Sequence, residues 1–165
     1  MILLHPRHAT QGSYDAPGHF PALMELYERN YIHMRRLLPV IPAAGGGVSR
    51  VANGLDLHLQ IIERFRYTSE LLLTYRFTQQ ATVVAEPNLR IRVYHDARMA
   101  EVMTAHLRHH PAFDAGDTGK PSLPSLQTRW RINRFLDKWL SYCLRQGHRF
   151  SSLSSNTVAP TTIAK

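Results

Sequence analysis

The chain has 165 residues, of which 44% are apolar and 19% charged, so its composition excludes a wholly disordered polypeptide and fits one domain with its own core. Its 20 basic and 12 acidic side chains give a formal net charge of +8, which is compatible with an anionic partner such as nucleic acid and also with a solvated arginine-rich surface. No apolar run approaches the roughly 20 residues of a membrane-spanning helix, and a single cysteine excludes an intramolecular disulfide, so we expect a cytoplasmic protein without a membrane anchor.

The two ends of the chain differ from its middle. Residues 1–18 and 150–165 carry no apolar period, and we expect both to be flexible tails on a single α+β domain at residues 19–149. Within that domain, apolar residues recur every three or four positions between Phe20 and Leu38, the period of one helical face. Pro21 suits the first turn of such a helix and Pro39 its end, so the sequence predicts an N-terminal amphipathic helix.

The middle of the chain has the alternation typical of β-strands. Residues 48–52 form a short β-compatible run, and Asn53-Gly54 follows, a pair typical of a two-residue hairpin turn. Three longer runs alternate apolar with polar residues, and their apolar members are Leu55, Leu57, Leu59 and Ile61, then Leu71, Leu73, Tyr75 and Phe77, then Leu89, Ile91 and Val93. Residues 99–104 fit a returning strand or the start of a helix. The sequence therefore predicts four or five antiparallel strands in meander order.

A second amphipathic helix is predicted near the C-terminus. Residues 106–124 are rich in histidine, proline and glycine and are expected to form a loop. From Ser125 to Gln146 the helical period returns, and Gly147 is placed to end it. Cys143 lies on the apolar stripe of this helix, which makes it a small core residue and not a nucleophile. With both helices packed on one face of the sheet, the predicted fold class is α+β in two layers.

Several segments, in order, resemble the YqiB-like proteins of proteobacteria, a family of unknown function. They are Met34-Arg35-Arg36-Leu37-Leu38-Pro39, Val51-Ala52-Asn53, Arg66-Tyr67-Thr68, the run from Arg92 to Ala97 with Ala100-Glu101-Val102, and the run from Ile132 to Leu144. Together they span most of residues 20–147, outside the tails and the loop at 106–124. The resemblance implies a shared fold. It brings no catalytic residue, cofactor or activity to this chain.

Catalytic motifs are not evident in the sequence. It lacks phosphate-binding glycine loops, HExxH, GxSxG and paired CxxC motifs, and we expect no cofactor and no metal, although His106, His109 and His110 have helix-compatible spacing. The best acid-base candidates are His95 and Asp96 with Glu101, because histidine and carboxylate exchange protons near neutral pH. The alternative is that Asp96 only shapes a turn.

Arg66 is a separate candidate because it lies at the bend between the two longest predicted strands. An arginine there could hold a phosphate or carboxylate. It could equally form a salt bridge with Glu63 or Glu70.

One face of the predicted sheet carries candidates for binding an anion or a nucleic acid. Strand alternation places on it Arg76, Arg90, Arg92, Tyr94 and His58. Positive charge and an aromatic ring are the groups with which sheet proteins hold single-stranded nucleic acid. The alternative is that these arginines pair with Glu63, Glu70 and Glu101 across strands.

Three classes of function follow from these patterns. We expect a small non-enzymatic binding or adaptor domain that contacts a protein or an anionic polymer, because no recognisable catalytic set is present. Single-stranded RNA or DNA binding through the basic sheet face is one alternative, recognised by steep salt dependence. The other alternative is an enzyme that acts on a nucleotide or another phosphate compound, with a site formed by Arg66, His95, Asp96 and Glu101.

Overall fold

The computed structural model describes residues 19–106, 125–151 and 153. Its elements in chain order are α1 (Phe20–Leu37), β1 (Gly46–Ser49), β2 (Asp56–Arg64), β3 (Thr68–Gln79), β4 (Thr82–Tyr94), β5 (Met99–His106) and α2 (Leu126–Gln146). The strands form one sheet in the order β1-β2-β3-β4-β5, and every neighbouring pair is antiparallel. The predicted α+β class and meander order are confirmed, and residues 99–104 belong to a strand.

Both predicted helices begin and end where their sequence signals lie. Pro21 occupies the first turn of α1, where its missing N–H costs no intrahelical hydrogen bond. Ser125 caps α2, since its Oγ accepts a hydrogen bond from the Thr128 N–H at 3.1 Å. Gly147 follows α2 with φ at 92°, a left-handed conformation that glycine adopts without steric cost.

The core lies between the helices and one face of the sheet. Its members alternate along three strands and recur on the inner stripes of both helices: Leu57, Leu59, Ile61, Leu71, Leu73, Tyr75, Leu89, Ile91, Val93, Met34, Leu37, Leu136, Trp139, Leu140 and Cys143. Burying each large side chain contributes about 1.5–3 kcal/mol. This burial fixes the strand register, because a slip by one residue would turn the leucines to the opposite face.

The connection between β1 and β2 differs from the predicted two-residue hairpin. The last rung joins Ser49 to Leu57, so residues 50–55 form the connection and β1 begins earlier than predicted. Asn53 adopts a positive φ of 58°, and the Gly54 N–H donates to the Val51 carbonyl at 3.3 Å. Leu55 precedes β2 and is 47% exposed, so its place in the predicted alternation was wrong.

The packed domain extends past the predicted boundary at residue 149. Phe150 is buried in the core, and its N–H donates to the Leu37 carbonyl at 2.8 Å. Leu153 packs against the same core. The predicted N-terminal tail (residues 1–18), residues 107–124, and residues 152 and 154–165 of the predicted C-terminal tail lie outside the described residues. Neither described helix has the length and apolarity needed to cross a membrane.

Candidate functional site

The sheet face opposite the core is polar, as predicted, but its charges are balanced. Strand alternation and register place on it the arginines Arg76, Arg90 and Arg92 and the carboxylates Asp56, Glu63, Glu70 and Glu101. Asp56 lies opposite Arg76, and Arg92 lies between Glu70 and Glu101, whereas Glu63 lies opposite Glu70. This face, which we call the open face, does not form a single-sign positive surface among the described residues.

Glu70 is the centre of the open face. Its two carboxylate oxygens are divided between two arginines: Arg90 Nε donates to Oε2 at 2.7 Å, and Arg92 Nε donates to Oε1 at 2.8 Å. A second nitrogen of each guanidinium, Nη2, contacts the same oxygen. Glu70 itself is 3% exposed. The hydrogen bonds from Arg92 and Arg90 hold the pKa of Glu70 below its usual value, against the opposing effect of burial.

The other predicted residues of the open face are Tyr94, His58 and Arg76, of which Tyr94 has a hydrogen-bonded carboxylate partner. The Tyr94 hydroxyl donates to Glu101 Oε1 at 2.7 Å, and burial raises the pKa of Tyr94. His58 is half-buried, and desolvation, with the charge of Arg76, lowers its pKa. Arg76 is exposed. Arg90 and Arg92 therefore pair across strands with a glutamate, Glu70, which is the second possibility that the sequence left open. The Tyr94 hydroxyl is bonded to a different glutamate, Glu101.

The acid-base candidates do not form one constellation. His95 continues the alternation of Ile91 and Val93 toward the core side, whereas Glu101 pairs with Tyr94 on the open face and lies 3.9 Å from Arg129 Nη1. Asp96 Oδ1 accepts a hydrogen bond from the adjacent Ala97 N–H at 2.9 Å, the turn-shaping geometry of aspartate.

Sequence reasoning did not identify the partner of His95. Its Nε2 lies 2.7 Å from the Ser69 Oγ. Ser69 has 0% of its surface exposed, so this hydroxyl cannot meet a substrate in the described conformation. Desolvation and the nearby Arg64 and Arg35 lower the pKa of His95. The pair therefore anchors the end of β4 to β3 and does not resemble an accessible nucleophile with its base.

Basic and aromatic side chains gather where β2–β3 and β4–β5 turn. The two turns are joined by a hydrogen bond from the His95 N–H to the Tyr67 carbonyl at 2.8 Å. Arg64 donates to the Ile41 carbonyl, which ties β2 to the segment after α1. We call this region the basic end and define it by the exposed residues Arg35, Arg64, Phe65, Arg66, Tyr67 and Arg98.

Aromatic exposure distinguishes the basic end from the open face. Phe65 is 59% exposed and Tyr67 52% exposed. The Arg66 guanidinium carbon lies 5.1 Å from the centroid of the Tyr67 ring, a cation–π geometry. The sequence left Arg66 open as either an anion contact or a salt-bridge partner of Glu63 or Glu70, whereas Phe65 and Tyr67 were not recognised. The signal that could have identified them is the alternation of basic and aromatic residues in Arg64-Phe65-Arg66-Tyr67.

Comparison with known proteins gives a family without a known activity. The family described as "Protein of unknown function (DUF1249)" matches residues 33–149. The chain is 36% identical over 131 residues to the "Uncharacterized protein YqiB" of Escherichia coli strain K12, and to that of Escherichia coli O157:H7, covering 78% of this chain and 90% of each relative. No solved structure is significantly similar. These similarities confirm the resemblance carried by the sequence segments.

Proposed function

The chain belongs to the DUF1249 family of proteins of unknown function, and we propose that it is a non-enzymatic binding domain that holds single-stranded nucleic acid at its basic end. The observation that carries the proposal is the turn Arg64-Phe65-Arg66-Tyr67, in which two arginines alternate with two rings that are each more than half exposed. Cationic side chains that follow a phosphate backbone, beside rings on which bases stack, are the recurring components of such sites.

The charges of the basic end support this assignment. Among the described residues, Arg35, Arg64, Arg66 and Arg98 form no ion pair with a carboxylate, whereas Arg90 and Arg92 share Glu70. Arg64 does donate to the Ile41 carbonyl, but no described carboxylate neutralises any of these four guanidinium groups, so their positive charge is available to a phosphate. Three or four phosphate contacts on a single strand predict a fall in affinity of about 20- to 50-fold between 50 and 200 mM salt.

The non-enzymatic part of the proposal rests on the placement of the acid-base candidates. His95 is bonded to the buried Ser69, and Glu101 is bonded to Tyr94 on the open face. Arg66 is exposed beside Tyr67 in a different turn from Asp96. Groups that act together in catalysis must lie within hydrogen-bond reach of a shared substrate position, and these four residues have separate partners.

The test is fluorescence anisotropy of labelled single-stranded RNA and DNA at two salt concentrations. Arg66→Glu and Phe65→Ala should each weaken binding about tenfold, through a lost phosphate contact and a lost stacking surface respectively. Arg131→Glu, on the exposed side of α2, and Phe20→Ala, a ring that is 57% exposed in α1, make the same chemical changes elsewhere and should leave the affinity within about twofold of the wild type.

Three results would overturn the proposal. The first is no binding by the wild-type protein at the lower salt concentration. The second is equal weakening by Arg66→Glu and Arg131→Glu, which would mean that only net charge matters. The third is weakening by Arg76→Glu alone, which would move the contact to the open face. Thermal unfolding of each variant establishes that a lost affinity does not reflect a lost fold.

A further inference from the structure

His95 lies at the basic end, on the side of the sheet that faces the helices. Its Nε2 lies 2.7 Å from the Ser69 Oγ, and its N–H donates to the Tyr67 carbonyl at 2.8 Å. Arg64 pairs with Ser69 in the strand register, and its guanidinium donates to the Ile41 carbonyl on the same side. Arg64, Ser69 and His95 therefore follow one another across β2, β3 and the end of β4.

The charges that act on His95 are mainly those of the basic end itself. Arg64 acts on it from β2 and Arg35 from α1, whereas Ser69 of β3 is neutral and Asp96, in the adjoining turn, supplies an opposing negative charge. Burial, followed by the charges of Arg64 and Arg35, lowers the pKa of His95, and Asp96 only partly offsets the shift. The imidazole is therefore mainly neutral at neutral pH.

An anion at the basic end would reverse this balance of charge. A phosphate held by Arg35 and Arg64 neutralises the two positive charges that disfavour protonation of His95, and its own negative charge favours protonation. The hydrogen bond to Ser69 survives the change, because the Nε2–H of an imidazolium can donate to the Ser69 Oγ. Coupling between two bound species is reciprocal, so a proton on His95 strengthens phosphate binding by the factor by which phosphate strengthens proton binding.

We propose that His95 makes the basic end a pH-sensitive site, at which the binding of single-stranded nucleic acid is coupled to the uptake of a proton by His95. The inference rests on the proposed function, because the coupling requires a phosphate at the basic end. Phosphodiesters keep their negative charge throughout the pH range in which histidine titrates, so the change in affinity arises from the protein. Mild acidification therefore strengthens binding.

Fluorescence anisotropy of labelled oligouridine at about pH 6 and pH 8, at constant ionic strength, tests the coupling. Neither the uracil bases nor the phosphodiesters titrate between these values. The wild-type affinity should be about three- to tenfold higher at the lower pH, the factor by which bound phosphate raises the proton affinity of His95.

Two glutamine variants separate His95 from the other histidines. His95→Gln keeps a polar group within reach of Ser69 but takes up no proton, so at the higher pH it should bind within about twofold of the wild type and should lose the pH dependence. His58, a half-buried histidine of the open face whose pKa is also lowered, provides the matched control. His58→Gln should keep the pH dependence of the wild type.

Each negative result has its own meaning. No binding at either pH would overturn the proposed function and this inference together. Salt-dependent binding of equal affinity at both pH values, or an unchanged pH dependence in His95→Gln, would reject the coupling and leave nucleic-acid binding in place.

Calorimetry of the wild-type protein measures the proton directly and does not depend on a variant. Binding of oligouridine at about pH 6.5, in two buffers that differ in their enthalpy of ionisation, should show net proton uptake. Binding without proton uptake would reject the coupling even if His95→Gln does not fold.

Discussion

Glu70 and Arg92 lie directly opposite each other on β3 and β4, and the Arg92 Nε donates to the Glu70 Oε1 at 2.8 Å. Arg90 occupies the other oxygen of the same carboxylate. One buried carboxylate thus pairs with two arginines. The side chain of Arg90 is 42% exposed and that of Arg92 is 35% exposed. This geometry ties β3 to β4 through side chains as well as through the ladder.

Removing the charge of Glu70 should destabilise the domain. In Glu70→Gln the two guanidinium groups keep their positions but lose the negative charge that neutralises them. We expect the free energy of unfolding to fall by about 2–3 kcal/mol. The loss is smaller than for a fully buried ion pair because both arginines reach solvent. Urea denaturation measures the change. Glu63, an exposed residue of β2, lies opposite Glu70 and provides the matched control. Glu63→Gln should lower the free energy of unfolding by less than about 0.5 kcal/mol.

The same carboxylate should contribute to acid denaturation. Because the folded-state pKa of Glu70 lies below its ordinary value of 4.5, its contribution to stability is present above that pH and is lost as the pH falls through the folded-state pKa. The free energy of unfolding of the wild type should therefore decrease below about pH 4.5, and Glu70→Gln should decrease less over the same range. Identical slopes for the two proteins would show that the arginines do not stabilise the charged form.

The sequence predicted the elements of this fold because their signals are local. The two helices carry an apolar stripe with Pro21, Ser125 and Gly147 at their ends, and the strands alternate with period two. The sequence predicted a two-residue turn at Asn53-Gly54, but the connection is longer. Its length is set by the last pair of β1 and β2, Ser49 with Leu57, which is a contact between strands. Phe150 was assigned to a tail because its partner, Leu37, is distant in the sequence.

The candidate site was less predictable because it depends on register and exposure. Three glutamates were possible partners for Arg90 and Arg92, and the strand order and register select among them. Glu70 lies directly opposite Arg92 on the adjacent strand, whereas Glu63 lies one strand further away on β2. In the same way, the sequence places Phe65 and Tyr67 at a bend but does not show whether their rings pack inward. Whether a side chain is buried, and which residue it pairs with, depends on tertiary contacts that the periodicity of the sequence does not specify.

The left-handed residue after α2 should tolerate asparagine better than alanine. Gly147 has φ at 92°, and a Cβ atom there would meet nothing within 4 Å, so the cost of substitution is conformational and not steric crowding. Gly147→Ala should lower the free energy of unfolding by about 1–2 kcal/mol, and Gly147→Asn by less, because asparagine adopts this conformation more readily. Thermal or urea unfolding measures both. An alanine variant as stable as the wild type would mean that the helix ends with a different geometry.

Cys143 should react only when the domain opens. Its thiol has 0% exposure, burial raises its pKa to about 11, and its Sγ lies 3.2 Å from the Tyr75 hydroxyl. A thiol that is protonated and sealed in the core is a poor nucleophile, so its reaction with a thiol reagent should follow the population of unfolded protein.

The Tyr75 hydroxyl supplies the means to test this dependence. Tyr75→Phe removes one hydrogen bond from the core but keeps the ring, whose centroid lies 5.6 Å from that of Trp139. We expect the free energy of unfolding to fall by about 1 kcal/mol. The reaction of Cys143 with the thiol reagent should therefore be about fivefold faster. Urea-unfolded wild-type protein is the control for intrinsic reactivity and should react at once. Rapid reaction of the native wild type, at a rate that is independent of stability, would show that α2 exposes Cys143 through a local motion that leaves the sheet intact.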